Sequence, residues 1–374
     1  MIAIVCSTVY ELSETFITRH IHELAPGRVT VICLNSSNTD KLPCPYYLVN
    51  NESAGWMGCL QGPVKAWNLA RYGFARALNQ KKIKEISEFL QAHRVRVILA
   101  EYGNLGCMIL PVAAKLGLPC VVYFRGIDAS RLLNLRFIRY SYRRLLPRAA
   151  GIICVSRFLE NNLKMAGFTH PNTHIIPSGV DIKKFVPGDK DRNLVLGVGR
   201  FTDKKAPDQT IRAFAKVAAG HKKVHLEMIG DGPLLSQCKA LAQDLGISGR
   251  VTFHGAKGHA FVRDRLSVAS IFVQHSVTAK TGDAEGLPGS IQEAMSSGLA
   301  VVSTRHSGIP EAVVDGQTGL LVDEHDVEGM SRSLDRLLDS PDLAAEMGRK
   351  GRERAVQYFS ADISLSRIRH VLGL

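Results

Sequence analysis

At 374 residues, 45% of them apolar and 22% charged, the chain suits two folded α/β-sized domains and is too apolar for a disordered protein. Its net charge of +13 lies almost wholly in the first half: residues 1–185 hold 23 Lys+Arg against 11 Asp+Glu, the remainder 24 against 23. There is no charge-free apolar run of bilayer length. The opening Met-Ile-Ala-Ile-Val lacks a signal peptide's basic flank, and the eight cysteines form no Cys-x-x-Cys pair. A membrane span, a secreted disulfide scaffold and a zinc site are therefore not expected; reduced core thiols in a cytoplasmic protein are.

From the N-terminus, residues 2–6 read as a buried strand and 15–24 as a helix. Further strands are expected at 29–34, 97–100, 120–124 and 152–155, with a helix at 81–93. Such alternation predicts parallel sheets. Residues 131–148 are basic and aromatic, with an apolar stripe at 132, 135, 138, 142 and 145. The stripe either packs on the first sheet under a basic outer face or lies on anionic lipid. Residues 56–76, with two Trp and several basic residues, extend the same kind of surface. A first half this basic suits a membrane surface, a phosphorylated lipid or nucleic acid. No nucleic-acid module signature accompanies it, so no nucleic acid partner is expected.

Pro, Gly and charge at 183–192 mark a linker. Alternation then restarts, with strands at 193–198, 225–229, 251–254, 271–274, 301–304 and 319–322, and helices at 208–219, 234–245 and 259–269. The domains are placed at 1–185 and 186–359, with a last helix at 360–374 packing back on the first. Two doubly wound domains in tandem would face each other across a cleft.

The second half carries the chemistry. Gly197-Val-Gly199-Arg200 follows its first strand, and Lys205 comes five residues later. Glycines at a strand end let a ligand approach the backbone, and two fixed cations suit a diphosphate. The third Gly of the dinucleotide fingerprint is absent. Gly230, in Ile229-Gly-Asp-Gly-Pro, and Lys257, in Phe253-His-Gly-Ala-Lys, occupy turns after later strands, where they would line a nucleotide pocket. Glu285-Gly286-Leu287-Pro288-Gly289-Ser-Ile-Gln-Glu293 sets two carboxylates around a Gly/Pro turn that runs into a helix. Free N–H groups there favour an anion, and the two carboxylates accept from hydroxyls; anion plus polyol describes a sugar nucleotide. Ser290-Ile-Gln-Glu293 also reads as a capping box. Asp189-Lys-Asp191 matches an Asp-x-Asp metal motif but sits in the charged linker and reads as solvated charge.

These motifs resemble family-four retaining glycosyltransferases of GT-B fold, which have two Rossmann-like domains. They are completed by Ser307-Gly-Ile-Pro-Glu311 and Asp315-Gly-Gln-Thr-Gly-Leu-Leu-Val322, and more thinly by Ser13-Glu-Thr-Phe16, Arg125-Gly-Ile-Asp128, Val155-Ser156 and Pro177-Ser-Gly-Val-Asp181. The likeness is closest to bacterial exopolysaccharide and lipopolysaccharide enzymes of the colanic-acid type. It implies that Arg200 and Lys205 neutralise the leaving diphosphate, Glu293 holds the ribose and Glu285 contacts the transferred sugar. Backbone N–H groups of 286–289 orient sugar and phosphate in place of a divalent metal. No cofactor or metal is expected.

Two departures bear on the acceptor side. Where the family often has His-Gly-x-Asp, this chain has Arg125 and Asp128. Arg125 cannot shuttle a proton near neutral pH, because its guanidinium stays protonated; it either pairs with Asp128 or binds a hydroxyl, phosphate or acidic acceptor group. Ser13, Glu14 and Thr15 replace a Gly-Gly loop, either capping the helix or touching acceptor or donor phosphate. The resemblance implies retaining transfer from a UDP- or GDP-sugar to a saccharide or lipid-linked acceptor at the inner membrane face. A sugar-nucleotide epimerase of the same fold and a non-catalytic sugar-nucleotide or RNA-binding protein are the alternatives.

Overall fold

The computed structural model describes residues 1–11, 14–49, 66–70 and 77–374. It divides into two compact units, Met1–Pro177 with Leu365–Leu374, and Ser178–Ser364. The second unit starts before the charged linker because the chain is already bound to it there. Val180 N–H donates to the Phe359 carbonyl (2.7 Å), and Ala361 N–H donates to that of Val180 (2.9 Å).

The first unit holds a seven-stranded sheet of order β3-β2-β1-β4-β5-β6-β7 in which every pairing is parallel. β1 (Ile2–Cys6), β2 (Val29–Cys33), β4 (Val97–Glu101), β5 (Cys120–Phe124) and β6 (Gly151–Cys154) are buried throughout, as covered parallel strands must be, and so read as continuous apolar runs. The edge strands β3 (Tyr46–Leu48) and β7 (Thr173–Ile175) were not expected. They are three residues long and partly exposed, leaving no apolar run to detect. Helix Gln80–Ala92 buries Ile83, Ile86, Ser87 and Leu90 on one face, and Asn79 Oδ1 caps it by accepting from Lys82 N–H (2.8 Å). The expected helix at 15–24 is an α-turn, Thr15–Arg19, followed by a π-helical turn, His20–Leu24. At the C-terminus, Arg369 donates to the Leu24 (2.9 Å) and Glu23 (2.6 Å) carbonyls.

The basic stretch resolves into short 3-10 turns flanking helix Arg136–Leu145, whose buried face is Ile138, Ser141, Tyr142 and Leu145. Leu135, Phe137 and Tyr140 stay exposed beside Arg131, Arg136, Arg143 and Arg144. Most of residues 56–76 lie outside the described residues. No helix among the described residues is long and apolar enough to cross a membrane. The seven described cysteines are free thiols.

The second unit holds a six-stranded parallel sheet of order β10-β9-β8-β11-β12-β13. The strands are β8 (Asp191–Val198), β9 (His225–Ile229), β10 (Val251–Gly255), β11 (Ala269–Gln274), β12 (Ala300–Thr304) and β13 (Gly319–Val322). Phe214, Leu226, Ile271, Val302 and Leu334 are among its buried core. In each sheet the order reverses beside its first strand, between β1 and β4 and between β8 and β11, where doubly wound sheets bind ligands.

The loops after β8, β9 and β10 keep hydrogen bonding beyond the strand ends: Gly199 N–H to the Ile229 carbonyl (3.0 Å) and Gly230 N–H to that of Gly255 (2.9 Å). Gly230, at φ +144°, has no room for a side chain, since a Cβ would stand 2.0 Å from the Gly199 carbonyl oxygen. Gly230→Ala is expected to destabilise the protein by about 2 kcal/mol or more, read from the urea midpoint at unchanged m-value.

Candidate functional site

The chain leaving β11 is fixed against its neighbours at successive points. Ser276 N–H donates to Thr304 Oγ1 (3.2 Å), Val277 N–H to the Lys204 carbonyl (2.9 Å) and Thr278 N–H to Glu324 Oε2 (2.8 Å). Glu285 N–H donates to His306 Nε2 (3.2 Å). The chain thereby returns to the rim of the sheet just before the 286–289 turn and helix Gly289–Ser296.

Two cations meet the Glu285 carboxylate. Its Oε1 lies 3.3 Å from Lys205 Nζ and 3.9 Å from Lys204 Nζ, and Lys204 also pairs with Asp283 (3.2 Å). Glu285 is 8% exposed, and its Oε1 has no aligned hydrogen bond, so the attraction is an ion pair alone. Burial pushes the carboxyl upward, but Lys205 and Lys204 outweigh it and hold the group below the usual carboxylate range. Lys205 is itself lowered, chiefly by burial. Its Nζ lies 3.3 Å from Gln274 Oε1, and its stem lies beside Gly199. Arg200 is exposed and makes no ion pair among the described residues, leaving its guanidinium to solvent.

The capping box does not form. The helix starts at Gly289 without a side-chain cap, and Ser290 Oγ donates instead to Gln274 Oε1 (2.9 Å). The Gly/Pro turn is thus pinned at both ends, by His306 before it and Gln274 after it. Glu293 is half-buried on the same helix. Lys257 stands apart, exposed on the loop after edge strand β10 with its ammonium 5.5 Å from the Phe261 ring centroid. In Asp189-Lys-Asp191 both carboxylates are exposed, while Lys190 reaches the Leu266 (3.1 Å) and Ser297 (2.8 Å) carbonyls, where burial lowers it to about 8.

In the first unit the Arg125 side chain pairs with Glu101 and not, as one of its two readings had it, with Asp128. Only the Arg125 backbone N–H reaches Asp128 (3.0 Å). Asp128 is fully buried and accepts from the N–H groups of Arg125, Gly126 (2.9 Å) and Gly103 (2.8 Å), so it pins backbone. Burial raises its carboxyl against the pull of those bonds. The Arg125 guanidinium turns inward, donating to Glu101 Oε2 from Nε (2.9 Å) and Nη2 (2.7 Å). It is stacked between Phe16 and Tyr123, 3.9 and 3.4 Å from their ring centroids. His20 Nδ1 meets Glu101 Oε1 at 2.5 Å. Despite burial, Arg125 and His20 hold Glu101 low; burial lowers His20 in spite of Glu101. Both side chains of this loop are thus engaged by protein groups, Asp128 by backbone N–H donors and Arg125 by Glu101. Beside them Tyr102, at φ +76°, donates to Glu14 Oε1 (2.6 Å), and burial raises Glu14. Thr15 begins the α-turn; Ser13 lies outside the described residues.

The family model described as Glycosyltransferase Family 4 matches residues 13–184, and that described as Glycosyl transferases group 1 matches residues 180–354. The chain belongs to the family-four glycosyltransferases. It is 29% identical over 311 residues to WcaL of Escherichia coli (strain K12), named as a colanic acid biosynthesis glycosyltransferase; the match covers 80% of this chain and 75% of WcaL. It is 31% identical over 231 residues to a GDP-mannose-dependent alpha-(1-6)-phosphatidylinositol monomannoside mannosyltransferase of Mycolicibacterium smegmatis, covering 58% of this chain and 60% of that protein. Anabaena HepE, solved in complex with UDP, is similar at TM-score 0.80 and 17% identity, covering 100% of this chain and 99% of HepE, which establishes the GT-B fold.

Several residues of this glycosyltransferase escaped sequence reasoning. Glu101 and Gln274 each close an apolar strand, and a polar residue there was the available signal. His306, Glu324 and Lys204 carried none, because their partners are remote in sequence.

His275, fully buried after β11, accepts at Nε2 from His325 N–H (2.9 Å) and is lowered by burial to about 4. A folded value below the unfolded one means the unfolded chain binds the proton first as pH falls. The stability held above about pH 6.5 is therefore lost towards pH 4, by about 3 kcal/mol. His275→Gln should flatten unfolding free energy against pH across that window. Separately, Arg125→Met leaves Glu101 buried without its cation and should cost about 3–5 kcal/mol in urea unfolding.

Proposed function

We propose that this glycosyltransferase moves a sugar, with retention of anomeric configuration and without a divalent metal, from a UDP- or GDP-sugar to a saccharide or lipid-linked acceptor. The process it serves is cell-surface polysaccharide or lipopolysaccharide biosynthesis. The observation that carries the reading is the grouping of Glu285, Lys205, Arg200 and the 286–289 turn on one rim of the second sheet. Lys205 and Arg200 supply fixed positive charge for a departing diphosphate, and the N–H groups of the turn supply donors for an anion. Glu285 offers a charged acceptor for sugar hydroxyls. It is engaged by two lysines, so it accepts hydrogen bonds and does not attack the anomeric carbon. Retention then follows from front-face reaction: the bond from the anomeric carbon to the diphosphate oxygen breaks, the acceptor oxygen bonds on the same face, and its proton passes to the leaving phosphate. The names of the relatives support the pathway, and the nucleotides named with two similar proteins, GDP-mannose for one and UDP for the other, keep both bases in the proposal.

The exposed face around Arg131, Arg136, Phe137, Tyr140, Arg143 and Arg144 supports peripheral contact with an anionic membrane, where a lipid-linked acceptor is presented at the cytoplasmic side.

A thermal-shift panel of UDP, GDP, ADP and their sugar conjugates in EDTA tests the donor site. Ligand at about a hundred times its Kd adds about 2.7 kcal/mol, so one nucleotide family should raise Tm. Glu293→Ala should lose that shift, and Glu285→Ala should lose transfer. No shift at millimolar ligand would overturn the donor assignment. In vesicle sedimentation, binding should require anionic lipid and weaken steeply with salt, and Arg136→Glu/Arg143→Glu should reduce it by about tenfold.

A further inference from the structure

His306 has no place in the donor reading above, yet it is the most enclosed titratable side chain touching the Glu285 segment. Its ring is 1% exposed. Nε2 receives the Glu285 N–H at 3.2 Å and lies 2.8 Å from Ser307 Oγ. A nitrogen that accepts a backbone N–H carries no proton, so the ring proton sits on Nδ1 and is donated to Glu324 Oε1 at 2.6 Å. Glu324 is fixed in turn by Thr278, which donates from its backbone N–H (2.8 Å) and from Oγ1 (3.3 Å). The chain of contacts runs from the loop after β13, through the imidazole, to the residue that opens the Gly/Pro turn. Ser307, at φ +52°, holds the backbone in a conformation L-residues rarely adopt, next to the ring that needs it there.

Resting on the proposed donor reading, we infer that His306, as the neutral Nδ1-protonated tautomer set by Glu324, is the positioning residue for Glu285 and thereby for recognition of the donor's sugar. Lys204 and Lys205 hold the Glu285 side chain by charge, which fixes distance but not direction, because ion pairs tolerate many orientations. The N–H to Nε2 bond fixes the backbone from which that side chain springs. Gln274, through Ser290, fixes the far end of the turn. A shift of one ångström at Glu285 misplaces its oxygens relative to sugar hydroxyls but leaves the diphosphate cations Arg200 and Lys205 where β8 puts them. His306 should therefore govern binding of the sugar and not of the nucleotide.

The test is calorimetric titration of UDP, GDP and their glucose, galactose, N-acetylglucosamine and mannose conjugates into wild type, H306A, H306Q, E324A and E285A. The quantity read is the ratio of nucleotide Kd to that of the best-bound conjugate. In H306A this ratio should fall by about tenfold, towards its value in E285A, at unchanged nucleotide Kd. H306Q, which can present an amide oxygen to the Glu285 N–H, should recover it to within about threefold of wild type. E324A frees the ring to place its proton on Nε2, facing that N–H, and should lower the ratio as well. Because Glu324 is only half-buried, it keeps the question open to measurement if H306A does not fold. Equal weakening of nucleotide and conjugate in the His306 variants, or no change in either, would overturn the inference. A wild-type protein that binds no nucleotide, or no conjugate more tightly than its nucleotide, would overturn the Glu285 reading itself.

Discussion

A carboxylate that is almost wholly out of water keeps its charge only if cations come with it, and in this protein the requirement falls on Glu285. Lys205 and Lys204 meet it from the turn after β8, while the residue itself arrives on the long connection after β11. Those strands are neighbours at the reversal point of the sheet, so the ion pairs join the two halves of the second unit where their carboxyl ends diverge. Desolvation would otherwise neutralise Glu285, and a neutral carboxyl would be a poorer acceptor for hydroxyls.

The first unit solves a related problem differently. Glu101 and Arg125 are buried together at the ends of β4 and β5, with His20 on the other carboxylate oxygen and two aromatic rings enclosing the guanidinium. Glu101, Arg125 and His20 are all buried. The charge serves geometry: it ties the turn after β1, through Phe16 and His20, to the ends of the central strands. Tyr102, in a strained conformation beside it, delivers a hydrogen bond to Glu14 on that same turn. In the two units alike, polar groups concentrate at the reversal point of a parallel sheet, where strand ends diverge and backbone bonding runs out.

Much of the fold was legible because fully covered parallel strands must be apolar runs. β1, β2, β4, β5 and β6 announce themselves in that way, and β3 and β7 do not, being short and half-wet at the sheet edges. Element boundaries slipped where local chemistry was overruled. The helix after residue 15 widens into a π-helical turn at His20, where a buried Glu101 claims the imidazole. The Ser290–Glu293 capping box is displaced because the helix already begins at Gly289, which puts Ser290 inside the first turn, where its hydroxyl bonds Gln274.

By itself, the sequence determined the doubly wound α/β architecture and the motifs that carry the family resemblance, since each depends on residue types at short spacings; the grouping of Glu285 with Arg200 and Lys205 came only through that resemblance. Only the tertiary structure decided what Arg125 pairs with, that Asp128 pins backbone, and that His306 and Gln274 bracket the turn after Glu285. Those outcomes depend on contacts between strand ends far apart in the chain. At such contacts several partners are chemically equivalent, and the packing of the sheet alone selects which one comes within hydrogen-bonding distance.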